Sequence, residues 1–158
     1  MRVSTRGRYG VRAMMDIALF GANGPVNLKE ISERQDISGD YLEQLLRRLR
    51  AGGLVRSVRG PHGGFLLAKP PEKIHLWDII VALEQEIAPV YCVEEELLAR
   101  APKKRCPRVS GCATHILWLG LAREVRSYLE ARTLRDMLEA GEQVCEVSVP
   151  GEPIMFQI

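Results

Sequence analysis

The apolar and polar positions alternate with a helical period through most of this chain. Tyr9, Met14, Ile17 and Ala18, with Val11 and Leu19 nearby, form one apolar face that predicts an amphipathic helix ending near Gly24. Asn27 followed by Glu30 has the spacing of a capping box and predicts a short second helix, NLKEISERQ. After the turn DIS, Ser38 is placed to cap a third helix, GDYLEQLLRRLRA. Leu42, Leu45, Leu46 and Leu49 are its apolar side, and Gly52-Gly53 is its stop. Two short extended runs, LVRSV and FLLA, flank RGPHGG, a stretch of turn chemistry throughout. The order helix, short helix, turn, helix, hairpin is the outline of a winged helix-turn-helix.

Beyond the hairpin the pattern predicts a fourth helix, LWDIIVALEQE, and an irregular stretch over 87–111 with three prolines and the basic run KKR. A long helix is expected from about Ala113 to Arg132. Its Leu117, Leu121, Val125 and Leu129 recur every four residues beside Tyr128, a stripe suited to the first helix or to a second subunit. TLRDMLEAG reads as a further short helix capped by Thr133 and stopped by Gly141, followed by a tail over 142–158. The fold class is mainly α. The expected organisation is a DNA-binding domain over 1–86, a ligand-bearing loop over 87–111, a dimerisation helix with its short follower over 112–141, and the tail.

Charge sharpens this outline. The 158 residues have a net charge of +2, yet residues 1–75 hold 13 Lys/Arg against 7 Asp/Glu, and the remainder holds 9 against 13. A basic front half supplies an electrostatic footprint for nucleic acid. No apolar run reaches the roughly 18 residues of a membrane span, and the basic start is not a signal peptide, so a cytoplasmic protein is expected. In a reducing compartment, four cysteines point to metal binding or redox chemistry before a disulfide framework. A catalytic Cys–His pair would need an orienting group and a pocket, neither of which the sequence suggests, and no phosphate-binding glycine loop opens a helix. No enzyme is expected.

Three motifs carry a resemblance: RGRYGVRAMMDIAL, ISERQDISGDYLEQLLRRLRAGGLVRSVRGPHGGFLLAK and CATHILW. Over about residues 1–140 the chain resembles the IscR-type iron–sulfur regulators of the Rrf-two family, dimeric bacterial winged-helix regulators with crossed long helices. The resemblance implies a 2Fe–2S cluster held by Cys92, Cys106, Cys112 and His115. Cys106-x5-Cys112-x2-His115 matches the family pattern. Thirteen residues separate Cys92 from Cys106, where the family commonly has about five. A neutral imidazole is a weaker donor than thiolate, so such a site is more labile and more pH-sensitive than four thiolates, which suits a sensor. A structural zinc site and Cys145 in place of Cys92 are the alternatives. His62 and His75 have no ligand context.

Double-stranded DNA with a pseudo-palindromic operator, a second copy of the chain and cluster-assembly proteins are the expected partners. Arg2, Lys29, Ser32 and Ser38 are candidates for phosphate contact. Tyr41, Glu43, Gln44 and Arg47 are candidates for base edges or adjacent backbone, with Gln suited to adenine and Arg to guanine. The resemblance implicates Glu43 in choosing between operator classes; the competing reading is an i,i+4 pair with Arg47. Arg59 and Gly60 lead the wing, and the resemblance places them in the minor groove. A regulator of the same fold without a cluster, and an iron–sulfur electron carrier or scaffold, are the rival functions.

Overall fold

A computed structural model describes residues 4–84, 88–93 and 106–147, with side chains described up to Glu142. Among the described residues, six α-helices and one hairpin follow in the order α1 (Thr5–Phe20), α2 (Leu28–Gln35), α3 (Gly39–Ala51), β1 (Val55–Val58), β2 (Gly64–Leu67), α4 (Leu76–Leu83), α5 (Ala113–Glu130) and α6 (Leu134–Val147). The chain is a mainly helical winged helix, as the pattern predicted. None of the described helices is long and apolar enough to cross a membrane.

The main core forms where the helical period places it. Met14 and Ile17 of α1, Ile31 of α2 and the four leucines of α3 are fully buried, joined by Leu54, Ile74, Ile79 and Leu83. Each such side chain contributes about 1.5–3 kcal/mol by leaving water. Arg50 reaches from the end of α3 to the Ser57 hydroxyl, 3.2 Å away, and ties α3 to β1. The hairpin is antiparallel with Val55 opposite Leu67. Val26 adds a short third rung by exchanging two backbone hydrogen bonds with Phe65. A Cβ on Gly64 would lie 2.2 Å from the Val26 carbonyl oxygen, so this close approach requires glycine.

Local capping agrees with the sequence in part. Asn27 accepts from the Lys29 N–H at 2.9 Å, while Glu30 faces Arg34 at 3.9 Å. Ser38 occupies the N-cap of α3, but its side chain makes no capping bond. The Ser32 hydroxyl donates to the Ile37 carbonyl at 2.6 Å and closes the turn before α3. Thr133 and Asp136 form a reciprocal pair at the start of α6: the Thr133 N–H donates to the carboxylate and the Asp136 N–H to the hydroxyl.

Two expectations change. Gly141 does not stop the last helix, which continues to Val147, so the expected tail begins as helix. A glycine inside a helix costs only about 1 kcal/mol relative to alanine, which burial of Leu134 and Leu138 offsets. It is also α6, not α5, that returns to pack on α1. Ile116, Leu117, Leu121 and Tyr128 of α5 remain exposed, and Ala122 faces α4 in a second, smaller core with Trp77 and Val93. The Arg126 guanidinium lies 5.5 Å from the centre of the Trp77 ring and seals this core.

One charged residue sits inside the main core. Asp16 is only 1% exposed on the apolar face of α1. Arg34 of α2 grips its carboxylate through Nε at 3.0 Å and Nη2 at 2.8 Å, and the Gln35 amide donates at 3.0 Å. Arg12 in turn donates to the side-chain and backbone oxygens of Gln35. Removing one member of a buried pair strands the other, so Asp16→Ala should destabilise by about 3 kcal/mol. Asp16→Asn should cost less, because its amide oxygen still accepts. Urea unfolding measures both; an Asp16→Ala loss under about 1 kcal/mol would show that the network orients α2 without stabilising the fold.

Candidate functional site: a DNA-reading face and a cysteine-bearing segment

Three of the residues proposed from the sequence for DNA, Glu43, Gln44 and Arg47, share the exposed side of α3. Burying the leucines of α3 turns Glu43, Gln44, Arg47 and Arg48 to solvent. Glu43 and Arg47 are 3.3 Å apart, the i,i+4 pair weighed from the sequence. Both are more than half exposed, so the pair is worth about 0.5 kcal/mol and opens readily for a competing phosphate or base. Lys29 is exposed in the first turn of α2 and lies 3.7 Å from Glu33. Arg2 lies outside the described residues.

Tyr41 is half-buried in the first turn of α3, where its ring meets Tyr9 of α1 edge-on at 6.1 Å. Sequence reasoning placed Tyr9 on an apolar helix face and missed this contact, since nothing in the spacing links residues 9 and 41. Ser38, with no capping bond, keeps its hydroxyl available at the exposed start of α3. Ser32 spends its hydroxyl on the turn, which makes it a structural residue rather than a phosphate donor. At the wing tip Arg59 is exposed and Gly60 has a φ of 122°, a conformation that favours glycine. Its carbonyl accepts from the Gly63 N–H at 2.9 Å and closes a tight tip.

The four proposed cluster ligands lie on three pieces of chain. Cys92 is the middle of a helical turn, Tyr91–Val93, after α4. Val93 beside it is fully buried between Trp77 of α4 and Ala122 of α5, and Cys92 packs against the same small core. Cys106 precedes a turn in which its carbonyl accepts from the Val109 N–H. The influence of Cys106, then burial and Cys92, raises the pKa of the Tyr91 hydroxyl.

Cys112 is the N-cap of α5, and His115 follows within its first turn. The Cys112 sulfur is 3.1 Å from the Thr114 hydroxyl. That hydroxyl, first-turn N–H groups from His115 and Thr114, and the charge of Arg108 hold the thiol below its ordinary pKa. A thiol at a helix start is thereby disposed toward thiolate, the form that ligates metal. Nδ1 of His115 is buried. Cys92, Cys106 and Cys112 are free thiols.

Among the described residues no three His, Cys, Asp or Glu side chains converge to metal-binding distance. Cys112 and His115 share the start of α5, while Cys92 and Cys106 stand on separate turns of the chain. The donor set itself suits an iron–sulfur group: three thiols outside disulfides, one inclined to ionise, and an imidazole. The side chain of Cys145 lies outside the described residues.

The chain is similar in sequence and fold to known transcriptional regulators. A family model described as Rrf2, iron-dependent transcriptional regulator, matches residues 3–140. The HTH-type transcriptional regulator IscR of Yersinia pseudotuberculosis is 41% identical over 148 residues, covering 94% of this chain and 85% of that protein. The solved structure of T. potens IscR superimposes with a TM-score of 0.71 at 37% identity, covering 96% of this chain and 94% of that one. CymR, described as the global cysteine regulator of B. subtilis, superimposes with a TM-score of 0.69 at 35% identity, covering 89% and 98%. With its winged helix, its exposed reading helix and a family match along nearly its whole length, the chain belongs to the Rrf2 family of transcriptional regulators and is not an enzyme.

Proposed function

We propose that the chain is a homodimeric regulator whose operator binding is controlled by a 2Fe–2S cluster held by Cys92, Cys106, Cys112 and His115. The observation that carries this reading is where the donors stand. Cys112 and His115 form the first turn of α5, and Cys92 adjoins Val93, the residue wedged between α4 and α5. A bound cluster supplies strong bonds between the segment after α4 and the start of α5. Drawing Cys92 and Cys106 toward Cys112 would then load Val93 against Trp77 and change how α5 sits on the DNA-binding head. Such an effector acts only through a difference in its affinity for the two arrangements.

The similarity to CymR favours a second reading, a regulator of the same fold that needs no cluster and answers a metabolite or partner. Anaerobic purification followed by iron, sulfide and visible absorbance measurement separates the two. Cys92→Ala and His115→Ala should abolish or bleach the absorbance, and Cys145→Ala should leave it intact. A colourless, iron-free wild type would reject the cluster reading. Equal operator affinity with and without iron would reject the switch.

Exposed Ile116, Leu117, Leu121 and Tyr128 give α5 an apolar face suited to the same helix of a second copy. Replacing Leu117 and Leu121 together by Glu should convert a dimer to a monomer in sedimentation, with the helix content unchanged. A two-fold dimer would read half-sites about one or two helical turns apart.

On DNA, Glu43 repels phosphate and accepts only from base donors such as cytosine N4. Glu43→Ala also frees Arg47, and should broaden the range of operators bound. Arg59→Ala should weaken binding by roughly 1–3 kcal/mol if the wing enters the minor groove. Competition binding across a selected operator library measures both; unchanged selectivity for the first and unchanged affinity for the second would remove these residues from the interface.

A further inference from the structure

The first turn of α1 is held by a residue from outside the helix-turn-helix. Oε1 of Glu84 accepts from the Ser4 N–H at 3.0 Å, the Ser4 hydroxyl at 2.7 Å and the Gly7 N–H at 3.1 Å. The Ser4 oxygen in turn accepts from the Arg6 N–H at 3.1 Å. A helix start exposes unpaired N–H groups and a partial positive charge, so a carboxylate there satisfies both. Bonds to an ionised acceptor are also stronger than those between neutral groups.

Glu84 is the residue at which α4 ends, and its own N–H donates to the Ile80 carbonyl. The two helices touch directly beside it. A Cβ on Gly10 would lie 1.9 Å from a methyl of buried Leu83, so α1 cannot slide on α4 without disturbing the core. Two residues beyond Gly7, Tyr9 meets Tyr41 of the reading helix edge-on. The guanidinium groups of Arg8 and Arg12 lie 5.6 and 5.4 Å from the centre of the Tyr9 ring and hold it from the other side. In the opposite direction only seven residues separate Glu84 from Cys92.

We propose that Glu84 is a positioning residue for DNA binding. Its carboxylate fixes the first turn of α1, that turn fixes Tyr9, and Tyr9 sets Tyr41 at the start of the reading helix. Glu84 also stands at the end of α4, with seven residues between it and Cys92, so strain in the segment that carries Cys92 reaches the reading helix through it. The first part rests only on the chain's binding DNA; the second also rests on the proposed cluster.

A contiguous path is only a candidate until its members are shown to be coupled. The test uses the full chain, first freed of iron, and a duplex selected by the wild type from a random-sequence library. Glu84→Ala should speed amide exchange at Ser4 and Gly7 and weaken binding about fivefold, the loss expected of one helix cap. Glu84→Gln keeps an acceptor oxygen and should restore most of the affinity. Combined with Tyr9→Leu, Glu84→Ala should cost much less than the sum of the two single losses. Faster exchange with unchanged affinity, or fully additive losses, would overturn the proposal. Should Glu84→Ala fail to fold, Ser4→Ala, which removes one donor to the same carboxylate, runs the cycle with Tyr9→Leu. In the iron-loaded chain, Glu84→Ala should shrink the affinity difference between loaded and iron-free protein. A wild type with no such difference would fail the cluster reading while leaving the iron-free result standing; a wild-type difference that Glu84→Ala preserves in full would overturn the coupling.

Discussion

The carboxylate of Asp16 is the constraint around which the DNA-reading head is assembled. An unpaired charge in that core would cost several kcal/mol, so the fold forms with Arg34 and Gln35 in place or not at all. That requirement docks α2 on α1 in one orientation. Ser32 then closes the turn to α3, and the four buried leucines fix which face of α3 is left for DNA. The geometry of the reading face follows from a polar contact on the far side of the core.

The cysteine-bearing segment obeys a different logic. Among its described residues Val93 is fully buried with Trp77 and Ala122, in a core smaller than the main one. The Cys112 thiol is held toward its ionised form by the Thr114 hydroxyl and the first-turn N–H groups of α5, so its chemistry is set by neighbours within one turn. Among the described residues, Val93 packed with Trp77 and Ala122, Arg126 over Trp77 and the Glu84 carboxylate at α1 lie between this segment and the reading head.

Most of the elements were legible because they obey local rules. The leucine spacing of α3, the glycines after it, and RGPHGG between two apolar runs each specify their element without help from the rest of the chain. Gly141 misled because a stop signal is only a propensity of about 1 kcal/mol, and burial of Leu138 outweighs it. Ser38 holds the N-cap position without a side-chain capping bond and Ser32 closes the turn, because only the path of the backbone decides which hydroxyl meets a partner there. The apolar stripe of α5 was visible, but whether it faced α1 or solvent was not, since α6 competes for the same surface. Asp16 had left a trace: a charged residue among Ala13, Met14 and Ile17 requires a buried partner, though the sequence does not say which.

The amino-acid sequence by itself determined the helical periods, the wing and the exposed basic side of α3. These are properties of neighbours along the chain, where spacing alone fixes which side chains share a face. The tertiary structure decided the pairings across long separations: Asp16 with Arg34, Tyr9 with Tyr41, Ser4 and Gly7 with Glu84, and Cys92 beside a wedge between α4 and α5. Such contacts depend on how closely two helices approach and at what angle, which Gly10 against Leu83 and Val26 against Gly64 control by the room a single Cβ would need.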